Sequence, residues 1–222
     1  MKKFLIVVAL VVMSAVLVLA SEQKFVVDDF TGGKAESSIG GWWYIYNDAS
    51  SGGNSEVTPA PNKFEMVKLK NTYVASMQGK TGNKLGWDYV GMGVTLGKNC
   101  GCPGKAEPVD LSKFTNLTLK IRGSITGGRI TVILPYSDNK CVDEKTSTLT
   151  DWADYEVALN SKLSKEWTIV KLNLKNDFKQ AKWAKTIVPI EKVLENAHSI
   201  DFHFTSSDGD KVDFQVGSIE FN

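Results

Sequence analysis

"HSIDFHFTSSDGDKVDFQVGSIEF", His198 to Phe221, alternates apolar and polar residues in two runs separated by the turn-forming "SSDGD". Successive side chains on a strand take opposite faces. In the first run Ile200, Phe202 and Phe204 therefore face one way, and Ser199, Asp201 and His203 the other. A period of two with one apolar side is the pattern of a strand lying on a core. The end of the chain thus reads as half-buried sheet.

Moving outward, the same signature recurs in "KFVVDDF", "KFEMVKLK", "TYVASMQG", "YVGMGVTL", "NLTLKIRG", "RITVILP", "DYEVALN" and "EWTIVKLNL". Gly, Asn, Asp and Ser gather between these runs, as in "KTGNK" and "GSITGG". One short helix is expected at "VPIEKVLENA", with Pro189 near its first turn. There is no internal repeat and no heptad pattern. About ten strands at this spacing predict an all-β fold, a two-sheet antiparallel sandwich of jelly-roll type with at most one short helix. Residues 21–222 read as one domain, with long loops expected at 31–62, 97–110 and 138–152.

Residues 1–20 are read apart from the fold. "MKK", the apolar "FLIVVALVVMSAVLVL" and "VLA" before Ser21 have the three parts of a secretory signal peptide of bacterial type. The apolar run is short for a membrane span, so export without stable membrane insertion is expected. The formal charge of +1 becomes −1 once Lys2 and Lys3 leave. That balance shows no basic stripe, which argues against nucleic acid as a partner. In an oxidising compartment one disulfide is expected, joining Cys141 to Cys100 or Cys102. A zinc clip at "CGC" is the alternative, but no His is near and structural zinc normally takes four ligands.

"GGWWYIYNDASSGGNSE", Gly40 to Glu56, carries the first functional signal. On a strand Trp42, Tyr44 and Tyr46 share one face, and Trp43 and Ile45 the other. Both faces of a two-layer sheet are not equally dry, so one set packs and the other meets solvent or ligand.

"VVDDF", "LSKFTNLTLKIRG", "EWTIVKLNLKNDFKQAKW" and the quoted C-terminal stretch together resemble family-11 carbohydrate-binding modules and the related complex-I-intermediate-associated domains. Individual motifs are short; their order along nearly all of residues 21–222 carries the likeness. The resemblance implies a galactose-binding-like sandwich, a closing hairpin, and a non-catalytic sugar cleft on a concave sheet. By position it assigns Trp43, Tyr46 and Tyr89 to that cleft. Its acidic position falls near Asp151 or Asp154, and its "F-x-Q-x-x-W" segment on Gln180, Lys182 and Trp183. The late strand contributes Ser199. A family Asp falls on His198, a cleft Tyr on Phe204, and the closing acidic pair on Val216-Gly217, which removes a calcium ligand there. Asp28 or Asp29 with backbone carbonyls would be a remaining calcium site; no other cofactor is expected.

Sugars present C–H groups on their faces and hydroxyls at their rims. Aromatic rings suit the first and Asp, Gln, Lys and Ser the second. Trp43, Tyr46, Tyr89 and Trp183 are the expected platforms; Asp154, Gln180, Lys182 and Ser199 the expected rim. Packing is the expected role of Trp42 and Trp167, while Trp183, between lysines, is expected to be exposed. Ser199, Asp201 and His203 on one face suggest a hydrolytic triad. However, alternate strand residues stand roughly 6.5–7 Å apart, too far to form its hydrogen-bond chain alone. The expected function is therefore an exported, monomeric polysaccharide-binding protein for β-glucan or a related glycan. Any carbohydrate-active enzyme that it targets would be a separate protein. A protein-binding or structural sandwich, and a glycoside hydrolase, are the alternatives.

Overall fold

The computed structural model describes residues 23–98, 100, 105–138, 142–143 and 147–222, with backbone alone at 105, 142 and 143. The expected leader, 1–20, lies outside the described residues. So do Cys102 and Cys141 of the expected disulfide.

In chain order the strands are β1 (Phe25–Asp28), β2 (Trp43–Asn47), β3 (Glu56–Thr58), β4 (Val67–Leu69), β5 (Thr72–Lys80), β6 (Tyr89–Thr95) and β7 (Lys105–Ala106). They continue as β8 (Asn116–Ile125), β9 (Arg129–Leu134), β10 (Val142–Asp143), β11 (Tyr155–Ala158), β12 (Thr168–Asn173), β13 (Ser199–Thr205) and β14 (Lys211–Phe221). The helix α1 (Ile190–Glu195) starts directly after Pro189, where a missing N–H costs nothing. One sheet has the order β12-β8-β14-β5-β3, with β1 beside β14 and β4 beside β5. The other has the order β11-β9-β13-β6-β2, and β7 pairs with β10 apart from both. Every pairing is antiparallel. This is the two-sheet sandwich that the alternation predicts.

The closing hairpin is not formed. β13 lies in the five-stranded sheet between β6 and β9, and β14 in the seven-stranded sheet between β5 and β8. "SSDGD" therefore arches from one layer to the other, because both strands carry an apolar face and bury it best against each other. Phe202 and Phe214 meet across the core with ring centroids 5.2 Å apart. Around them Ile130, Val132, Met92 and Ile200 from one sheet face Leu119, Ile121, Met77 and Val216 from the other, all buried. Phe204 is fully buried too, so it does not wall a cleft.

Candidate functional site

The parity of β13 fixes what the five-stranded sheet shows to the outside. With Phe202 and Phe204 inward, Asp201 and His203 must point out. Register then aligns them with partners: Tyr44, Gly93, Asp201, Ile133 and Glu156 form one row across the sheet. Tyr46, Gly91, His203, Thr131 and Ala158 form the next. Tyr89, Thr205 and Arg129 form a third.

Gly91 and Gly93 decide how the tyrosines lie. A Cβ on Gly91 would overlap the Tyr46 ring, and one on Gly93 the Tyr44 ring. The rings lie flat over the glycines and reach the next strand but one. The Tyr44 hydroxyl donates to the Asp201 carboxylate, and the Tyr46 hydroxyl lies 3.0 Å from His203 Nδ1. Burial, reinforced by Asp201, holds both phenols well above their usual pKa, so they remain hydroxyls. Burial also lowers His203 to about 4, helped by Arg129, so its imidazole is neutral at pH 7.

The rings continue outward from there. Tyr89 packs on His203 at 4.9 Å, and Trp87 stacks on Tyr89 at 6.0 Å with planes 14° apart. Trp87 is 56% exposed. It is held by a turn in which the buried Asp88 carboxylate accepts the N–H groups of Lys84, Leu85 and Gly86. Asp48, buried at the end of β2, accepts from the Tyr89 N–H and from Ser55, fixing the strand edge beneath. On the far side, Arg129 pairs with Glu156 at 2.6 Å.

No protein-family model matches this chain, and no curated protein matches it in sequence. Solved structures do match in fold. The family 11 carbohydrate-binding module from Clostridium thermocellum, in complex with a β-1,3-1,4-mixed-linked tetrasaccharide, superposes with a TM-score of 0.56 at 16% identity. The match covers 89% of this chain and 94% of that one. A family 30 carbohydrate-binding module gives 0.51 at 14% identity, over 90% and 98%. The chain has a carbohydrate-binding-module-like fold.

Against that fold the expected site residues divide. Tyr46 and Tyr89 stand together on the outward face. Trp43 does not: it is 3% exposed, points into the core, stacks on Phe64 and donates its indole N–H to Asp28 Oδ2 at 2.8 Å. Parity gave the two faces of "WWYIY", and the core took Trp43 and Ile45. Trp42, expected to pack, is exposed instead. Trp167, expected to pack in the core or at its rim, packs half-buried on the outer face of the other sheet, against Gly217, Lys120 and Arg122. Ser199 points to the same side as Asp201 and His203 but is 1% exposed, buried beside Tyr44, so it offers no group to a ligand.

Gln180 is likewise spent. Its amide donates to the carbonyls of Ala153 and Thr186, and its Oε1 accepts from the Val188 N–H. It staples the 180–188 loop to the 151–154 loop, assisted by Asp151, which accepts from the Lys185 N–H at 2.6 Å. The staple presents Trp183 and Trp152, 63% and 64% exposed, beside an exposed Lys182. Asp154 accepts from the Tyr136 N–H and the Ser147 hydroxyl, both at 2.8 Å, and burial raises it to about 6. Asp28, named above for calcium, accepts instead from Trp43, Phe30 and Ser38. Among the described residues no three His, Cys, Asp or Glu gather as metal ligands.

Sequence reading named neither Tyr44 nor Trp87 as a ligand contact. The signal for Trp87 was its place beside Tyr89 ahead of β6. For Asp201 and His203 the alternation itself was the signal.

Proposed function

We propose that the protein binds a polysaccharide chain, without hydrolysing it, along the outer face of the five-stranded sheet. The observation that carries this reading is the continuous run of rings Tyr46, His203, Tyr89 and Trp87, partly exposed and set beside Asp201. Ring faces bury the C–H faces of sugars, while the tyrosine, histidine and carboxylate edges meet hydroxyls. Trp87 precedes β6 at one end of the sheet. Trp152 precedes β11 at the opposite end, with β9 and β13 between the two strands. Three strand spacings and six residues of strand make this span roughly 14 Å by 20 Å, enough for several sugar units in a row. The tetrasaccharide carried by the family 11 module makes a β-glucan the first ligand to test.

Hydrolysis would need two free carboxylates, one protonated. Here Asp201 takes the Tyr44 hydroxyl, Glu156 takes Arg129, and Asp154 takes Tyr136 and Ser147. Each is engaged in holding the face together, which supports binding. We read the protein as exported and monomeric, acting alone or beside a separate carbohydrate-active enzyme.

Affinity electrophoresis in gels of mixed-linked β-glucan, xylan and mannan tests the reading. Retardation by at least one polymer, weakened in Trp87→Ala and Tyr89→Ala, is the expected result. Retardation by none of them would end the polysaccharide reading. Release of reducing sugar, abolished by Asp154→Asn, would replace binding by hydrolysis.

A further inference from the structure

The opposite face of the sandwich carries a second groove of different chemistry. On the seven-stranded sheet β14 changes neighbour along its length, pairing with β5 up to Val216 and with β1 from Ile219. A bulge at Gly217 marks the change. There the β4–β5 hairpin stands away from the sheet and leaves a groove of about 680 Å³.

Four cations line this groove and no carboxylate does: Lys68 and Lys70 on the hairpin side, Lys120 and Arg122 on β8. Sequence does not reveal the cluster, because the two pairs are fifty residues apart and meet only through β14. Trp167 crosses β8 toward Gly217, where a Cβ would stand 3.2 Å from its ring. Its centroid is 5.3 Å from Lys120 Nζ and 4.8 Å from Arg122 Cζ. Tyr73 lies opposite, under Lys68 Nζ at 5.9 Å. Among the described residues none of the four cations is paired with a carboxylate. Arg122 spends only its Nε, on Gln215 at 2.7 Å, so both terminal nitrogens remain for a bidentate anion.

We propose that this groove binds an acidic sugar: Arg122 and Lys120 take the carboxylate, Lys68 and Lys70 a neighbouring one, and Trp167 supports the ring. The footprint favours a short acidic oligosaccharide over nucleic acid. Glu220 lies on the same face at one end of the basic patch, opposite Thr118, and Asp213 at the other, opposite Ser124, each one outward position along from Lys120 and Arg122 respectively. A continuous polyanion would run onto Asp213 at one end and onto the Lys24–Glu220 ion pair at the other. A nucleic-acid track can use about 6–10 phosphate contacts, and a groove lined by four cations offers fewer. This site is independent of the neutral-glycan face described above.

Calorimetry of the purified protein with trigalacturonate tests it. The expected result is binding that weakens about tenfold or more in Lys120→Gln/Arg122→Gln. It should weaken similarly from low to high salt, and with the methyl-esterified trisaccharide. Trp87→Ala should leave it unchanged. Lys68→Gln/Lys70→Gln, on exposed positions, gives the same readout should the first variant melt early. Absence of trigalacturonate binding overturns the proposal. So does loss in Trp87→Ala with retention in both lysine-face variants, or tighter binding of an oligothymidylate. Gel retardation by mixed-linked glucan, run on the same variants, reports the other face separately and should not respond to Lys120 or Arg122.

Discussion

The Tyr46 hydroxyl lies 3.0 Å from Nδ1 of His203 although a whole strand separates them, and Gly91 is the residue between. Any side chain at 91 would stand where the Tyr46 ring lies. Gly91 thus shapes the outer face of the sheet through its lack of a Cβ. Gly91→Ala should raise the ring, break the Tyr46–His203 bond and roughen the platform. Overpacking of this kind costs about 1–3 kcal/mol, and glucan binding should fall about tenfold or more. Thermal unfolding and gel retardation measure the two effects. Wild-type binding in this variant would show that the flat tyrosine is not part of the site.

The tryptophans should sort by burial. Trp183→Ala and Trp87→Ala remove exposed rings and should leave thermal stability within about 0.5 kcal/mol of wild type. Trp43→Ala empties the core beside Phe30 and Phe64 and leaves Asp28 without its indole donor. It should cost roughly 3–5 kcal/mol. If Trp183 serves the polysaccharide, its removal weakens retardation with stability unchanged. Unaltered retardation would confine the site to the Trp87 end of the sheet.

These contrasts show where sequence was sufficient. Alternation in "SIDFHFT" assigned each residue of β13 to its face, and the same rule split "WWYIY" correctly into two sets. It could not say which set was core, since Trp and Tyr serve either role; that depended on where Phe30, Phe64 and Asp28 lay. Gln180 and Ser199 looked like rim groups because their polarity is visible in sequence. Their backbone partners and burial come only from register and loop packing. The arch between β13 and β14 was hidden for the same reason: "SSDGD" turns a chain equally well within a sheet or between sheets.

The cysteines give a prediction at the level of composition. One bridge from Cys141 to Cys100 or Cys102 should leave a single titratable thiol in the unfolded, unreduced protein. Closing a loop of about forty residues should contribute roughly 3–4 kcal/mol in the chain-entropy model. Three titratable thiols would exclude the bridge.

Two half-buried groups on the outer side of the five-stranded sheet should oppose each other in pH. Burial raises Asp154 from 3.8 to about 6, against the hydrogen bonds of Tyr136 and Ser147. The native state therefore holds a proton that the unfolded chain has released. Stability from this group is complete below 3.8 and is lost as pH rises through about 6. Burial lowers His203 from 6.5 to about 4, so its contribution is complete above 6.5 and is lost as pH falls through about 4. Each displacement corresponds to up to about 3 kcal/mol, and between those values the two slopes nearly cancel. Single variants should expose them. Asp154→Asn should make stability climb with pH across this window, because only the histidine remains. His203→Gln should make it fall, because only the aspartate remains. Chemical denaturation at a series of pH values measures both. Parallel pH profiles for wild type and Asp154→Asn would mean that this carboxyl ionises as it does in water. If the neutral His203 beside Tyr46 serves the proposed glucan site, binding should hold from neutral pH down to about 5 and weaken near 4, where the imidazole gains its proton.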